Sequence, residues 1–136
     1  MNKDMKKILV TGSCGQIGSE LTAELRKKYG NENVIASDIN AKNEGKQLEL
    51  GPFEIIDVLD KNKIGYIIEK YEIDSIIHLA AILSATGENN PQLCWDVNIG
   101  GTLNILNFAV ENELNRVVIP SSIAVWGPGT PAIAPQ

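Results

Sequence analysis

Five short apolar runs recur along the chain, and none of them alternates polar with apolar residues. They are Lys7–Thr11 (KILVT), Asn33–Asp38 (NVIASD), Phe53–Val58 (FEIIDV), Ser75–Ala80 (SIIHLA) and Arg116–Pro120 (RVVIP). A strand with one wet face alternates, whereas a strand covered on both faces reads as an unbroken apolar run, as in a parallel sheet sandwiched by helices. The intervening segments change to helical spacing. Gly15–Tyr29 carries Ile17, Leu21 and Leu25 on one face and is followed by Gly30, and Asp60–Tyr71 carries Ile64, Ile67, Ile68 and Tyr71. Pro91–Asn112 reads as a long helix, and the polar, unperiodic stretch 41–50 as a loop.

Strands alternating with helices predict an α/β fold: a Rossmann-type doubly wound parallel sheet of order 3-2-1-4-5, ending after strand five. The strand order follows from the fold class rather than from particular residues. With 136 residues, 43% of them hydrophobic, the chain is expected to make one domain over residues 1–136 with a real core. Twelve basic against seventeen acidic residues give a net charge of −5, which lacks the basic field needed to hold nucleic acid or an anionic membrane. No apolar run reaches the roughly 18 residues of a membrane span, and Met1–Lys7 is too short and polar for a signal peptide, so a cytoplasmic location is expected. Cys14, Cys94 and the single His78 cannot assemble a four-ligand zinc site, and no metal is expected.

The turn after the first strand carries the chemistry. Thr11-Gly12-Ser13-Cys14-Gly15-Gln16-Ile17-Gly18 sets three glycines at intervals of three between a strand and a helix. Gly12 permits a tight turn, Gly15 lets a diphosphate approach the backbone, and Gly18 lets helix and strand pack closely. Amides at the helix start, at its positive dipole end, then hold the phosphates. Asp38 closes the second strand about 20 residues on, where the dinucleotide fingerprint wants an acid for the ribose hydroxyls. That carboxylate repels a 2′-phosphate, and no cation adjoins it in the loop, so the pattern selects NAD over NADP. Cys14 reads as a small packed or cofactor-facing side chain without chemistry of its own.

These segments together resemble the extended short-chain dehydrogenase/reductase superfamily, and within it the NAD-dependent L-threonine 3-dehydrogenases of epimerase type. TGSCGQIGSEL (11–21), NVIASDIN (33–40) and IDVLD (56–60) carry the general likeness; HLAAILSATGENNPQLCWDVN (78–98) and PSSIAVWGP (120–128) complete it, and within them LSATGENNPQLCWDVN and PSSIAVWGP carry the narrower one. The resemblance implies that Asp57 and Val58 flank the adenine, that Leu79, Ala80 and Ala81 line the cofactor, and that Asn98 lies on the cofactor side of the site. It implies further that Ser84 sits in a loop meeting an amino-acid substrate, and that Ser122 is the serine whose hydroxyl bonds the reacting oxygen. The implied reaction is oxidation of L-threonine to 2-amino-3-oxobutanoate. His78 reads as a core residue rather than a base.

In that family a Tyr-x-x-x-Lys on a later helix supplies the base, and residues 123–136 contain no such motif. The one example, Tyr66 to Lys70, precedes the serine and lies opposite the stripe of Ile64, Ile67, Ile68 and Tyr71, facing solvent. Residues 1–136 are therefore expected to be a cofactor-binding fragment, inactive alone. The long helix spreads Trp95, Val97, Ile99, Leu103, Ile105, Leu106, Phe108, Ala109 and Val110 around its circumference, so it is apolar all round, which predicts a homodimer or self-association through 91–112. A nucleotide-sugar epimerase or dehydratase fragment and a non-catalytic NAD-binding module are the competing readings.

Overall fold

The computed structural model describes residues 4–40 and 50–122. β1 (Ile8–Thr11), buried along its whole length, runs through the middle of a five-stranded parallel sheet. It pairs with β2 (Val34–Asp38) and with β4 (Ser75–His78), in registers that bring Ser37 and His78 to either side of Thr11. β3 (Phe53–Ile55) lies outside β2 and β5 (Arg116–Val118) outside β4, so the order is β3-β2-β1-β4-β5, as the sequence pattern implies.

Each central strand sends successive side chains to opposite faces, and both faces are dry. Ile8, Val10, Val34 and Ile77 pack with Leu25 of α1 (Gln16–Tyr29) on one side. Leu9, Ile35 and Ile76 pack on the other with Ile64, Ile67 and Ile68 of α2 (Lys61–Tyr71) and with Ile105. The stripe expected on α2 is thus the one that is buried. Gly65 lets α2 and the last long helix close on each other: a Cβ there would stand 3.0 Å from the Phe108 ring.

Three expectations need correction. The strands are shorter than the apolar runs: β3 stops at Ile55 and β4 at His78, so 56–58 and 79–80 lie past the strand ends at the carboxyl edge. The segment read as a substrate loop forms a short helix, α3 (Ser84–Asn89), with Ser84 as its first residue. The long helix is composite: α4 (Pro91–Trp95) runs into a π-helical segment (Asp96–Gly101) and then α5 (Thr102–Glu111). The Gly100-Gly101 pair sits in the π segment, where a Cβ on Gly101 would come within 2.6 Å of Val58 Cγ2. Except for Leu50, the loop expected over 41–50 lies outside the described residues, as does the PSSIAVWGP stretch beyond Ser122.

The outer side of the composite helix stays bare. Trp95, Ile99, Leu103, Leu106 and Val110 recur at intervals of three and four, and Val110 is 79% exposed.

Candidate functional site

The carboxyl ends of parallel strands in such sheets open onto a crevice where ligands bind. Here a cleft of about 440 Å³ lies there, floored by Gly12, Cys14 and Gly15 and walled by Asp38, Asp57 and Val58 on one side and Leu79, Ala80 and Ala81 on the other. That size suits a small-molecule or cofactor site.

The glycine loop is built by steric necessity. Gly12 has φ +71°, and a Cβ there would lie 2.7 Å from the Ala80 amide nitrogen, so both conformation and space exclude a side chain. A Cβ on Gly18 would run into the Gly12 carbonyl oxygen and the Ser13 Cα, so Gly18 serves helix–loop packing. Gly15 is the N-cap of α1 and makes no side-chain cap, and no acid occupies the first turn. The helix ladder begins with Ser19 N–H donating to Gly15 O at 2.9 Å, so the amides of Gln16, Ile17 and Gly18 precede it. By contrast, α2 is capped by Asp60 and α4 by Asn90. A diphosphate fits the uncapped end of α1: three backbone donors, a positive dipole end, no competing carboxylate and no side chain at Gly15.

The loop's own amides are used otherwise. Ser13, fully buried, donates its N–H to Ser37 O at 2.9 Å, and Gly15 N–H donates to Gly12 O. Ser13, placed by the sequence in the cofactor loop, ties that loop to the sheet and is not among the cleft-lining residues. Cys14 N–H donates to Asp38 Oδ2 at 3.0 Å, and Asn40 N–H lies 3.4 Å from Oδ1. The carboxylate is thus oriented from the loop, standing at the end of β2 where the register with β1 delivers it.

Asp57 and Val58 occupy a turn held by Asp60 N–H on Asp57 O and Leu59 N–H on Asp57 Oδ1, both 2.9 Å. Val58 is nearly buried yet lines the cleft. Ile39 and Ile82, with Leu93 and Val97 from the composite helix, also line it. These four were not singled out from sequence. Ile39 and Ile82 could have been, since each lies just past a strand end; the i, i+4 pair Leu93 and Val97 gives no sign of which neighbour it faces.

Asn98 is not among the cleft-lining residues. Its Oδ1 accepts from Ile82 N–H at 2.7 Å and its Nδ2 donates to Ile82 O at 2.9 Å, so it clamps the loop after β4 from behind. Ser122 follows β5 at the same carboxyl edge, exposed and outside the cleft lining, and Ser84 opens α3. His78 is 3% exposed, with Nδ1 2.7 Å from Thr11 Oγ1, and Nε2 has no partner among the described residues. Burial pushes its imidazole below the ordinary range, which leaves it a neutral core residue.

Tyr66 and Lys70 belong to another face altogether. Lys70 Nζ donates to Glu54 Oε1 at 2.6 Å, where Tyr71 also donates at 2.9 Å, while Lys63 reaches Oε2. Burial of Glu54 raises its carboxyl, but the bonds from Lys70, Tyr71 and Lys63 outweigh it and hold the group below the usual carboxylate value. The bond to Glu54 in turn raises Lys70. Such a raised ammonium fastens β3 to α2 and does nothing in the cleft. No group of three or more His, Cys, Asp or Glu residues that could hold a metal occurs among the described residues, and no described helix is long and apolar enough to cross a membrane.

The sequence profile of the NAD dependent epimerase/dehydratase family matches residues 8–136. An uncharacterized epimerase/dehydratase of Staphylococcus saprophyticus is 49% identical over 129 residues, covering 95% of this chain and 40% of the relative. The solved L-threonine dehydrogenase of Clostridium difficile superposes with a TM-score of 0.89 at 47% identity, over 98% of this chain and 43% of that one. A GalE-like L-threonine dehydrogenase from Cupriavidus necator, solved in its holo form, gives 0.85 at 42% identity, over 93% and 40%. The chain therefore spans about 40% of the length of the curated relatives it matches. With NAD as its cofactor, the chain belongs to the NAD dependent epimerase/dehydratase family.

Proposed function

We propose that these residues form the NAD-binding part of an enzyme that oxidises L-threonine to 2-amino-3-oxobutanoate. The observation that carries the reading is the cleft itself, with the uncapped start of α1 at one end and Asp38 on the wall. The amides of Gln16, Ile17 and Gly18 would hold the diphosphate, Asp38 the adenosine ribose, and the turn of Asp57 and Val58 the adenine. Leu79, Ala80 and Ala81 would cover the opposite side and keep water from it. NAD, when bound, accepts the hydride from the carbinol carbon of the substrate. Ser122 would donate a hydrogen bond to the oxygen on that carbon, and Ser84 would stand near the amino-acid end. Removing the hydroxyl proton calls for a base that Ser122 cannot supply alone. The similarity to two solved L-threonine dehydrogenases supports the substrate.

The bare stripe Trp95, Ile99, Leu103, Leu106 and Val110 supports a second proposal, a homodimer formed through 91–112. A nucleotide-sugar epimerase or dehydratase is the alternative activity, and the Staphylococcus saprophyticus relative carries the name epimerase/dehydratase without a substrate. Calorimetric titration is the direct test: saturable NAD binding with much weaker NADP binding supports the cofactor site, and equal affinity overturns the role of Asp38. Assay of the full-length protein with L-threonine and with nucleotide sugars separates the two activities.

A further inference from the structure

One helix reaches both walls of the cleft. Asn98 holds Ile82 behind one wall, and Asn104, one turn and a half further on, reaches behind the other. Asn104 is 8% exposed, and its Nδ2 donates to the Val58 carbonyl at 3.0 Å, 46 residues away in sequence. Within its own turn, Asp57 accepts both local hydrogen bonds, through its carbonyl and its carboxylate. The bond to the Val58 carbonyl instead comes from α5. Gly101 completes the seat, because any Cβ there would strike Val58 Cγ2.

We propose that Asn104 is a positioning residue for the adenine end of the site: by tying the Val58 carbonyl to α5, with Gly101 as the space behind the side chain, it fixes the wall on which the adenine rests. The choice of side chain follows from chemistry. The Val58 carbonyl is buried behind the cleft and needs a donor, and a neutral amide supplies one without burying a charge. An apolar residue of similar size would fill the volume but leave that acceptor unpaired, and the turn would shift to find water. Asn104 touches no cofactor atom in this scheme; it acts through Val58. The inference rests on the cofactor reading above, with the adenine beside Val58.

Calorimetry with NAD, AMP and nicotinamide mononucleotide on the full chain separates the possibilities. Asn104→Leu should raise the dissociation constants for AMP and NAD by the same factor, about tenfold, and leave that for nicotinamide mononucleotide unchanged. Gly101→Ala, which presses on Val58 without removing the bond, should move the same two ligands in the same direction. In the unmutated chain, AMP should shift the Asn104 side-chain amide resonance in a nitrogen–proton NMR spectrum, and this decides the matter should Asn104→Leu fail to fold. AMP affinity unchanged in a folded Asn104→Leu, an equal loss for nicotinamide mononucleotide, or an Asn104 resonance indifferent to AMP would each overturn the proposal. Failure of the unmutated chain to bind AMP or NAD at all would instead remove the cofactor reading, and this inference with it.

Discussion

Asp38 is the residue to which we assign the choice of NAD over NADP, and its replacement is the most direct probe. Charge-assisted hydrogen bonds to ribose hydroxyls are worth about 1.5–3 kcal/mol, so Asp38→Ala should weaken NAD about 10- to 100-fold in a calorimetric titration. The glycines and this acid were legible because backbone conformation and charge leave marks in the residue types themselves. Ser13 and Asn98 were not, since whether a serine amide faces a ligand or the neighbouring strand depends on a partner 24 residues away, and an asparagine gives no hint that it will clamp Ile82. His78 was read correctly as core, and its burial carries a pH signature. Its folded-state pKa lies below the ordinary value of 6.5, so on acidification the unfolded chain takes up a proton first. Stability should therefore be full at neutral pH, fall as pH drops below about 6.5, and level off once the folded imidazole is protonated. Thermal midpoints measured from about pH 7 to pH 5 should show this slope, and His78→Gln should flatten it.

At the scale of elements, periodicity found every strand and the three main helices among the described residues, because an apolar stripe that must meet a sheet repeats with the helix turn. It overran the strand ends, since Val58 and Leu79 are as apolar as the strand residues before them but lie past the strands, lining the cleft. Nor could it show the π segment, at whose end Gly101 closes on Val58. The buried Arg26 of α1 was also unheralded: it donates to Val34 O and, at 2.7 Å, to Pro52 O, tying the starts of β2 and β3 to the helix. Burial lowers its pKa, and the pull of Glu32 acts against that. The exposed stripe of the composite helix gives this scale its test. If it seats a second copy, Leu103→Glu and Val110→Lys should each convert dimer to monomer in sedimentation equilibrium, leaving NAD affinity intact. A monomeric unmutated chain at high concentration would dispose of the dimer.

For the molecule as a whole, sheet order and family were both readable, the first because few topologies satisfy alternating strands and helices and the second through the glycine loop with Asp38. Substrate chemistry was less so, because a serine hydroxyl such as that of Ser122 can bond the oxygen of many alcohols and names none of them. The single Tyr-x-x-x-Lys of residues 1–136 is engaged with Glu54 on the far side of the sheet edge, through Lys70. Residues 1–136 should accordingly bind NAD yet give no NADH from L-threonine above background by absorbance, since a missing general base commonly costs about 10²–10⁴-fold. Turnover near that of a complete relative would refute this.

If Asp38 selects the coenzyme as proposed, its hydrogen bond from the Cys14 amide would make that discrimination a shared affair. A ligand whose ribose bore an additional phosphate would have to drive the acid aside, and doing so would release the very amide that braces the turn beneath the diphosphate. The wrong coenzyme would thus be penalised twice, once by repulsion at the sugar and once by slackening of the cradle. Swapping preference should accordingly demand a new brace for Cys14 as well as a cation in place of the acid.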